Sequence, residues 1–375
     1  MMEPQYKKGR SWWPGLRILD RYIIRKFLGT YIFAIAMIVV VVVIFDYVEK
    51  IDGFTATHAP FKAVMLDYYL NFIPFFVNQF SALFTFIACI FFTSKLAYQT
   101  EIIAMLSGGM SFKRLMWPYF ISALVITIVS LGLSLWVIPI SQRSCVAFEQ
   151  QYIPRRQNTQ YDRHIYRQVE LGTFLYIRGF SQNASTASFI ALEKYEGSVM
   201  RSTLEASDAK FDKENKRWTA SRYITRHFDE RGVESFEQHR NLDTLLNLDI
   251  MELGNLQALV KTMNIVELNE FIEQQRAKGS DSIRQIEVEH HTRYAYPIGT
   301  FILTLIGVSL SSRKVRGGTG LHIGIGIALC FSYIMLNRVF EEFAKGGTLP
   351  PMLAVWLPNI IYTFVGIYLY RKAPK

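Results

Sequence analysis

Six long stretches of the chain contain no Lys, Arg, Asp or Glu. Each is at least 19 residues long, and about 20 apolar residues are enough for a helix to cross the hydrocarbon core of a membrane. Three stretches precede a large polar block and three follow it. This pattern predicts a polytopic α-helical membrane protein with six transmembrane helices in a three-plus-three arrangement. The stretches are 27–45, 68–94, 115–142, 294–312, 317–337 and 346–370.

The polar block between the third and fourth stretches has a different pattern. Short runs of aromatic and β-branched residues, such as 189–192, alternate with turn-forming clusters at 212–215 and 229–232. Strands at about ten-residue spacing are typical of a sandwich or a jelly roll. We therefore expect an all-β, jelly-roll-like domain inserted between the two sets of spans.

Helical spacing returns after the β domain. Asn264 and Glu267 form a capping signature, and the helix they begin is expected to stop near Gly279. A second helix is predicted to start near Asp281–Ser282 and to run into the fourth span. The chain thus divides into four parts: 1–142 with the N-terminus and the first three spans, 143–262 with the β domain, 263–293 with the connecting helices, and 294–375 with the last three spans.

The distribution of charge predicts the orientation of the spans. The chain carries 41 Lys+Arg against 31 Asp+Glu, a basic balance that by itself suggests nucleic acid. Residues 143–292, however, carry 20 basic and 22 acidic residues, and sixteen basic residues lie in four segments that alternate to one face of the membrane. Because Lys and Arg favour cytoplasmic loops, both termini are predicted to be cytoplasmic and the large domain to lie on the far side. The charge therefore indicates topology and no nucleic-acid partner.

Motifs for catalysis or for a cofactor are absent from the sequence. It contains no G-x-x-x-x-G-K-[ST] phosphate-binding loop and no H-E-x-x-H zinc motif. His290 and His291 are adjacent and so do not share a helix face, which favours interfacial polar residues over metal ligands. The three cysteines provide no disulfide framework. We expect no catalytic residue, no metal site and no cofactor in this chain.

Three cations at the outer ends of the spans are candidates for contact with a lipid headgroup. Lys50, Lys62 and Arg338 lie beside the first, second and fifth stretches. Attraction between such cations and an anionic headgroup is strengthened where solvent is partly excluded. Anchoring of the spans at the interface is the alternative interpretation of the same residues.

The inner loop between the second and third stretches is the most informative short segment. Its first part, near 95–107, predicts a short amphipathic helix around Glu101 that ends at Gly108-Gly109. A helix lying flat on the bilayer is one interpretation. Such helices favour Lys and Arg, whereas the central charge here is an acid. Glu101 is better suited to a basic pocket on a cytoplasmic partner.

The chain resembles the lipopolysaccharide-export permeases, which are the F and G subunits of a bacterial ABC transporter. The segment around Glu101 looks like the coupling helix of that family, and the three-plus-three layout around an inserted β domain is similar as well. The resemblance covers essentially the whole chain. Four segments carry it: 19–23 before the first span, 98–111 in the inner loop, 263–272 after the β domain, and 293–297 at the entry to the fourth span.

The resemblance implies a transport subunit of the bacterial inner membrane, with a periplasmic β domain and without catalysis of its own. The implied partners are a cytoplasmic ATPase dimer that holds ATP and Mg, a second homologous six-span permease subunit, periplasmic jelly-roll bridge proteins, and lipopolysaccharide. The coupling helix would dock on the ATPase, with Glu101 meeting a basic residue. The coupling residues carried over from the family are Glu101, Ile102, Met105 and Gly108.

One region departs from the family pattern. The G-type subunit has basic residues around the outer end of span one, where this sequence has Asp46 and Asp52 with Lys50 nearby. Headgroup contacts are therefore not carried over from that region, and the F-type and G-type assignments both stay open. The alternative function is a membrane-anchored periplasmic assembly or binding protein without transport activity. Several spans and an acidic inner helix argue against it, since one span would suffice as an anchor.

Overall fold

The computed structural model describes residues 17–153, 165–181, 185–212, 217–229, 233–245, 256–277, 282–312 and 320–373. Within these ranges, six helices are long and apolar enough to cross a membrane. The chain between the third and fourth of them forms a six-stranded antiparallel sheet. The predicted polytopic architecture and the inserted β domain are both confirmed.

Helices and strands are numbered here in chain order. The six membrane-spanning helices are α1 (Ile18–Ala56), α2 (Phe61–Tyr98), α4 (Phe112–Tyr152), α7 (Ile283–Ser311), α8 (Gly320–Lys345) and α9 (Pro351–Lys372). The three shorter helices are α3 (Glu101–Ser107), α5 (Leu256–Thr262) and α6 (Ile265–Ala277). The strands are β1 (Ile165–Glu170), β2 (Thr173–Ser181), β3 (Thr186–Glu196), β4 (Val199–Asp212), β5 (Arg217–Phe228) and β6 (Glu234–Leu245).

Three of the spans are much longer than the bilayer core is thick. Helix α1 has 39 residues, α2 has 38 and α4 has 41, which at 1.5 Å per residue gives lengths of about 58, 57 and 62 Å. The hydrocarbon core needs only about 30 Å. All three helices therefore continue past the membrane, and their polar ends lie outside the apolar stretches that the sequence predicted.

Helices α2 and α4 each contain one π-helical turn. The turns cover Val64–Tyr69 in α2 and Leu133–Val137 in α4. A π turn holds one more residue than an α turn, so it shifts the side chains that follow it around the helix axis.

Helix α7 lies at the centre of the bundle. In its apolar window 67% of the residues are buried, against 11% in α1. Glycines allow close approach around it: a methyl group at Gly299 of α7 would collide with the hydroxyl of Tyr333 on α8, and one at Gly326 of α8 would collide with Ile90 on α2. Small residues at such crossings let membrane helices pack tightly. Helix α8 is thereby held against both α7 and α2.

The β domain is one sheet that curls over its own core. Each strand pairs with the next in sequence, from β1 to β6. The ring centroids of Phe180 on β2 and Trp218 on β5 are 6.1 Å apart, although three strand spacings in a flat sheet would separate these strands by about 14 Å. Ala187 and Ala209 on the intervening strands are fully buried, and their small side chains let the concave face close. One curled sheet therefore forms the core of the jelly-roll-like domain.

The turn clusters predicted in this domain fall between its strands. Strand β4 ends at Asp212 and strand β5 ends at Phe228, where the two clusters begin. Most residues of both clusters lie outside the described ranges.

A complete capping box starts α6, as the sequence predicted. The Asn264 side chain accepts hydrogen bonds from the N–H groups of Val266 and Glu267, both at 2.9 Å. The Glu267 carboxylate accepts the N–H of Asn264 at 2.9 Å. The helix ends at Ala277, and the predicted stop, Gly279, lies outside the described residues. Helix α7 then begins at Ile283 and continues without a break into the fourth span.

Candidate functional site

The inner loop is compact because its backbone reverses sharply on both sides of α3. Thr100 before α3 and Gly109 after it adopt left-handed backbone, with φ of 64° and 86°. Glycine takes this conformation without a steric penalty. The Ser111 hydroxyl then accepts the N–H of Arg114 at 3.3 Å and caps the start of α4. The single helix predicted near 95–107 is thus divided, because residues 95–98 continue α2 and only Glu101–Ser107 form α3.

One face of α3 is anchored in the bundle and the other is exposed. Ile102 is fully buried in an apolar cluster with Ile23 and Phe27 of α1. Met105 packs against the edge of the same cluster. Ile103, the next residue after Ile102, is 43% exposed. Of the predicted coupling residues, Ile102 therefore anchors the helix and does not face outward.

Glu101 lies in the first turn of α3, where its carboxylate is partly exposed. The hydroxyl of Tyr22 on α1 donates a hydrogen bond to Glu101 Oε2 at 3.3 Å. An acid at a helix N-terminus is favoured by the helix dipole. Gly108 lies at the opposite end and is exposed; its N–H donates to the carbonyl of Ala104 at 2.9 Å. The structure thus brings Glu101 and Met105 onto one short helix with Gly108 as its C-terminal cap, and the acid is partly exposed.

An ion pair that sequence reasoning missed lies beside this helix. The guanidinium of Arg114 in the first turn of α4 lies 2.5 Å from Asp20 Oδ2 on α1, and the Asp20 side chain is only 4% exposed. The same oxygen accepts the N–H of Arg17 at 2.9 Å and caps α1. Asp20 belongs to the 19–23 segment that carries part of the family resemblance, and that was its only sequence signal.

Lys50, the first of the three candidate headgroup cations, is neutralised by its neighbours. Its ammonium lies 2.9 Å from Asp46 and 3.4 Å from Glu149. It also donates to the hydroxyl of Tyr68 and lies 4.6 Å from the centroid of that ring. This cluster joins the C-terminal ends of α1 and α4 to the N-terminal part of α2, so Lys50 has a clear structural role.

Lys62 and Arg338 lie in surroundings that differ from those of Lys50. Lys62 is exposed in the first turn of α2. Arg338 on α8 is exposed, lies 3.3 Å from Glu341 and lines a cavity of about 160 Å³. The three predicted cations therefore do not form one site.

The cavity beside Arg338 contains charged residues that sequence reasoning did not select. Lys261 lines it, with its ammonium 5.2 Å from the ring centroid of Phe75. Arg293 is 5% exposed and donates to the carbonyls of Met263 and Val260, each at 2.8 Å. These bonds attach α7, eleven residues into the helix, to the end of α5. The signal for Arg293 in the sequence is the 293–297 segment of the family resemblance.

The described residues provide no other chemical centre. No group of three or more His, Cys, Asp or Glu within them could hold a metal ion. His290 and His291 contact each other edge to face, with ring centroids 5.2 Å apart. The cysteines at 89, 145 and 330 are buried and unpaired by disulfides.

The fold defines a multi-pass membrane protein with an inserted β domain. Its two polar regions are the inner loop around α3 and the charged cavity beside Arg338. Comparison with protein families narrows this class. The chain belongs to the lipopolysaccharide export system permease LptF/LptG family, which matches residues 21–372. The family is one of transport permeases and not of enzymes.

Two curated relatives agree with this assignment. They are the lipopolysaccharide export system permease protein LptG of Escherichia coli strain K12 and the protein of the same name from Escherichia coli O6:H1 strain CFT073. Each is 19% identical to this chain over 362 residues, which cover 95% of this chain and 98% of the relative. The resemblance inferred from four short segments is therefore confirmed along nearly the full length.

Proposed function

We propose that the chain is a permease subunit of an ABC transporter that extracts lipopolysaccharide from the inner membrane and passes it to a periplasmic bridge. The family match across residues 21–372 carries this proposal. A separate cytoplasmic ATPase dimer binds ATP and Mg and supplies the energy. A second homologous six-span subunit completes the transport cavity, and the apolar face that α1 leaves exposed is available for that subunit and for lipid.

The proposed orientation places both termini and α3 in the cytoplasm and the β sheet in the periplasm. The sixteen basic residues of the inner segments support it through the positive-inside rule. The outer strands of the described sheet, β1 and β6, each have one unpaired edge within the described residues. Strand addition at such an edge is a common way to join β domains, and it would connect this domain to the bridge proteins.

The proposed coupling element is α3. Its exposed face carries Ile103 and Gly108, the partly exposed Glu101 lies in its first turn, and Ile102 fixes the helix to the bundle. A partly exposed acid on such a helix suits a groove with a basic residue on the ATPase, because a partly desolvated ion pair is stronger than one in water. Met105 and Gly108 complete this proposed contact.

At the outer face, Lys62 and Arg338 are the better candidates for headgroup contacts. Lys50 is held between Asp46 and Glu149, so its charge is already compensated. Arg338 has one carboxylate neighbour, Glu341, and lines a cavity that also contains Lys261. An excess of cations remains there for an anionic group.

Co-purification in mild detergent tests the proposed function. We expect the chain to bring down a cytoplasmic ATPase and a second six-span subunit, and the reconstituted complex to move lipopolysaccharide out of liposomes only when ATP is present. A matched complex whose ATPase cannot hydrolyse ATP is the control. Recovery of the chain alone, under conditions that preserve known complexes, would favour the membrane-anchored assembly or binding protein instead.

A further inference from the structure

The first turn of α1 holds both ends of the inner loop. Tyr22 reaches Glu101 at the start of α3, and Asp20 reaches Arg114 at the start of α4. Between these two contacts, Ile102 is buried against Ile23. Three links of different chemistry therefore connect one helical turn to a loop that lies about 80 to 94 residues further along the chain.

The Asp20–Arg114 ion pair is the link that joins opposite charges. Arg114 lies in the first turn of α4, where the helix dipole disfavours a cation, so it depends on Asp20 for compensation. The Nη1 atom of Arg114 is buried and has no hydrogen-bond partner among the described residues. The Asp20 side chain is only 4% exposed, whereas that of Arg114 is 30% exposed, so loss of Asp20 would leave Arg114 without its counter-ion and only partly hydrated.

The rest of α1 is attached at its opposite end and at a few contacts in between. At the opposite end, Asp46 bonds to Lys50 and to the hydroxyl of Tyr69. In the middle, the hydroxyls of Tyr31 and Ser81 share a hydrogen bond at 2.8 Å, whereas apolar side chains such as Phe33 are largely exposed. Because only 11% of the apolar window of α1 is buried, the helix can move when its N-terminal end is displaced.

We propose that Asp20 and Arg114 are positioning residues that connect the coupling loop to α1, so that displacement of α3 by a cytoplasmic partner moves α1. This inference rests on the proposed function, because it assumes that a partner docks on α3. Displacement of α3 reaches α1 directly through Tyr22 and Ile23, and it reaches α1 through the start of α4 by the Asp20–Arg114 ion pair. Without the ion pair, the same displacement of α3 moves the start of α1 less.

The test uses charge removal that preserves shape. Asp20→Asn keeps an oxygen for the cap on Arg17 but removes the charge, and Arg114→Gln removes the partner charge. Lys113→Gln, at an exposed neighbouring position, is the matched control. In the reconstituted complex we expect each single variant to lower the lipopolysaccharide delivered per ATP hydrolysed by about tenfold. The double variant should lose no more than either single variant, because the two residues act as one unit.

A second measurement needs no partner protein. Spin labels on Arg25→Cys and Ser107→Cys, both exposed positions, report the distance between α1 and α3 in the isolated chain in nanodiscs. The natural cysteines are buried, so labelling is expected at the introduced ones. We expect a narrow distance distribution that broadens with Asp20→Asn or Arg114→Gln and stays narrow with Lys113→Gln.

The outcomes separate this inference from the proposed function. A normal lipid-to-ATP ratio in both single variants would overturn the inference, whether or not the distance distribution broadened. An unchanged distribution in both variants would overturn it as well. A wild-type complex that delivers no lipid would instead contradict the proposed function. The spin labels would still show whether the Asp20–Arg114 ion pair fixes the position of the inner loop relative to α1.

Discussion

Ile102 and Ile103 are neighbours on α3 with opposite environments, and this difference gives a sharp test of the site. Ile102 is 0% exposed and Ile103 is 43% exposed. Ile102→Ala removes three buried carbons, worth about 0.8 kcal/mol each in transfer energy, and leaves a cavity between α3 and α1. We expect α3 to lose about 2–5 kcal/mol of local stability. A helix of seven residues does not form in isolation, so it should then open readily.

Hydrogen exchange of the chain in nanodiscs measures this change. The reporting amides are those of Ala104 and Gly108, which donate to the carbonyls of Thr100 and Ala104, each at 2.9 Å. With Ile102→Ala they should exchange much faster. With Ile103→Ala their opening free energy should change by less than about 0.5 kcal/mol. Binding of the ATPase should show the opposite dependence. Ile103→Ala should weaken it, because Ile103 belongs to the exposed face of α3 that is offered to the partner.

Equal exchange in the two variants would refute this account of α3. It would mean that Ile102 is not its anchor. Faster exchange in Ile103→Ala than in Ile102→Ala would place the opposite face of the helix against the bundle. Unchanged ATPase affinity in Ile103→Ala would separate the exposed face from the proposed docking surface.

Three further changes test other parts of the molecule. Glu101→Lys should leave membrane insertion intact but abolish capture of the ATPase in a pull-down, because it places a cation against a basic pocket. Glu101→Asp, which keeps the negative charge, is the control. A hydrogen bond from Arg143 on α4 lowers the pKa of Glu267 on α6 below its usual value of 4.5. The ion pair between these two helices should therefore be fully present above about pH 4.5. It should be lost as the pH falls through the lower pKa of the folded state. Hydrogen exchange of 265–277 measures this, and Glu267→Gln should remove the pH dependence. Trp218→Ala should destabilise the β domain by about 3–5 kcal/mol, measured by proteolysis in increasing urea, with Trp218→Phe losing less.

Each of these three predictions has a contrary result. Capture of the ATPase by Glu101→Lys at wild-type affinity would remove Glu101 from the docking contact. Exchange in α6 that increases equally at low pH in wild type and Glu267→Gln would assign the loosening to another group. A Trp218→Ala domain as resistant as wild type would show that the curled face does not depend on the indole.

The spans and the turns could be predicted from the sequence because their signals are local. A run without charges and a cluster such as 229–232 each mark a single position along the chain. The Asn264 capping box could be recognised for the same reason, since both partners lie within four residues. These features depend on backbone propensity and hydropathy, which a sequence shows directly.

The contacts of the site depend on residues far apart in the chain and could not be predicted. Asp20 and Arg114 are separated by 94 residues, and nothing in either segment indicates that they meet. Lys50 is a plausible headgroup cation in the sequence, but the fold brings Glu149 to it from α4. The burial of Ile102 beside the exposed Ile103 likewise depends on where α1 lies.

The π turn in α2 has a consequence for how related chains can differ in length. Deleting one residue from Val64–Tyr69 would convert the turn into ordinary α-helix without breaking the backbone bonding on either side. Six residues of π-helix turn about as far around the axis as five residues of α-helix, so the two sides of α2 would keep their present angular relation. The same deletion in the α-helical part that follows would instead rotate the side chains beyond it by about 100° relative to those before it. A single-residue gap between related chains can therefore be accommodated at Val64–Tyr69 while the rest of the helix keeps its packing.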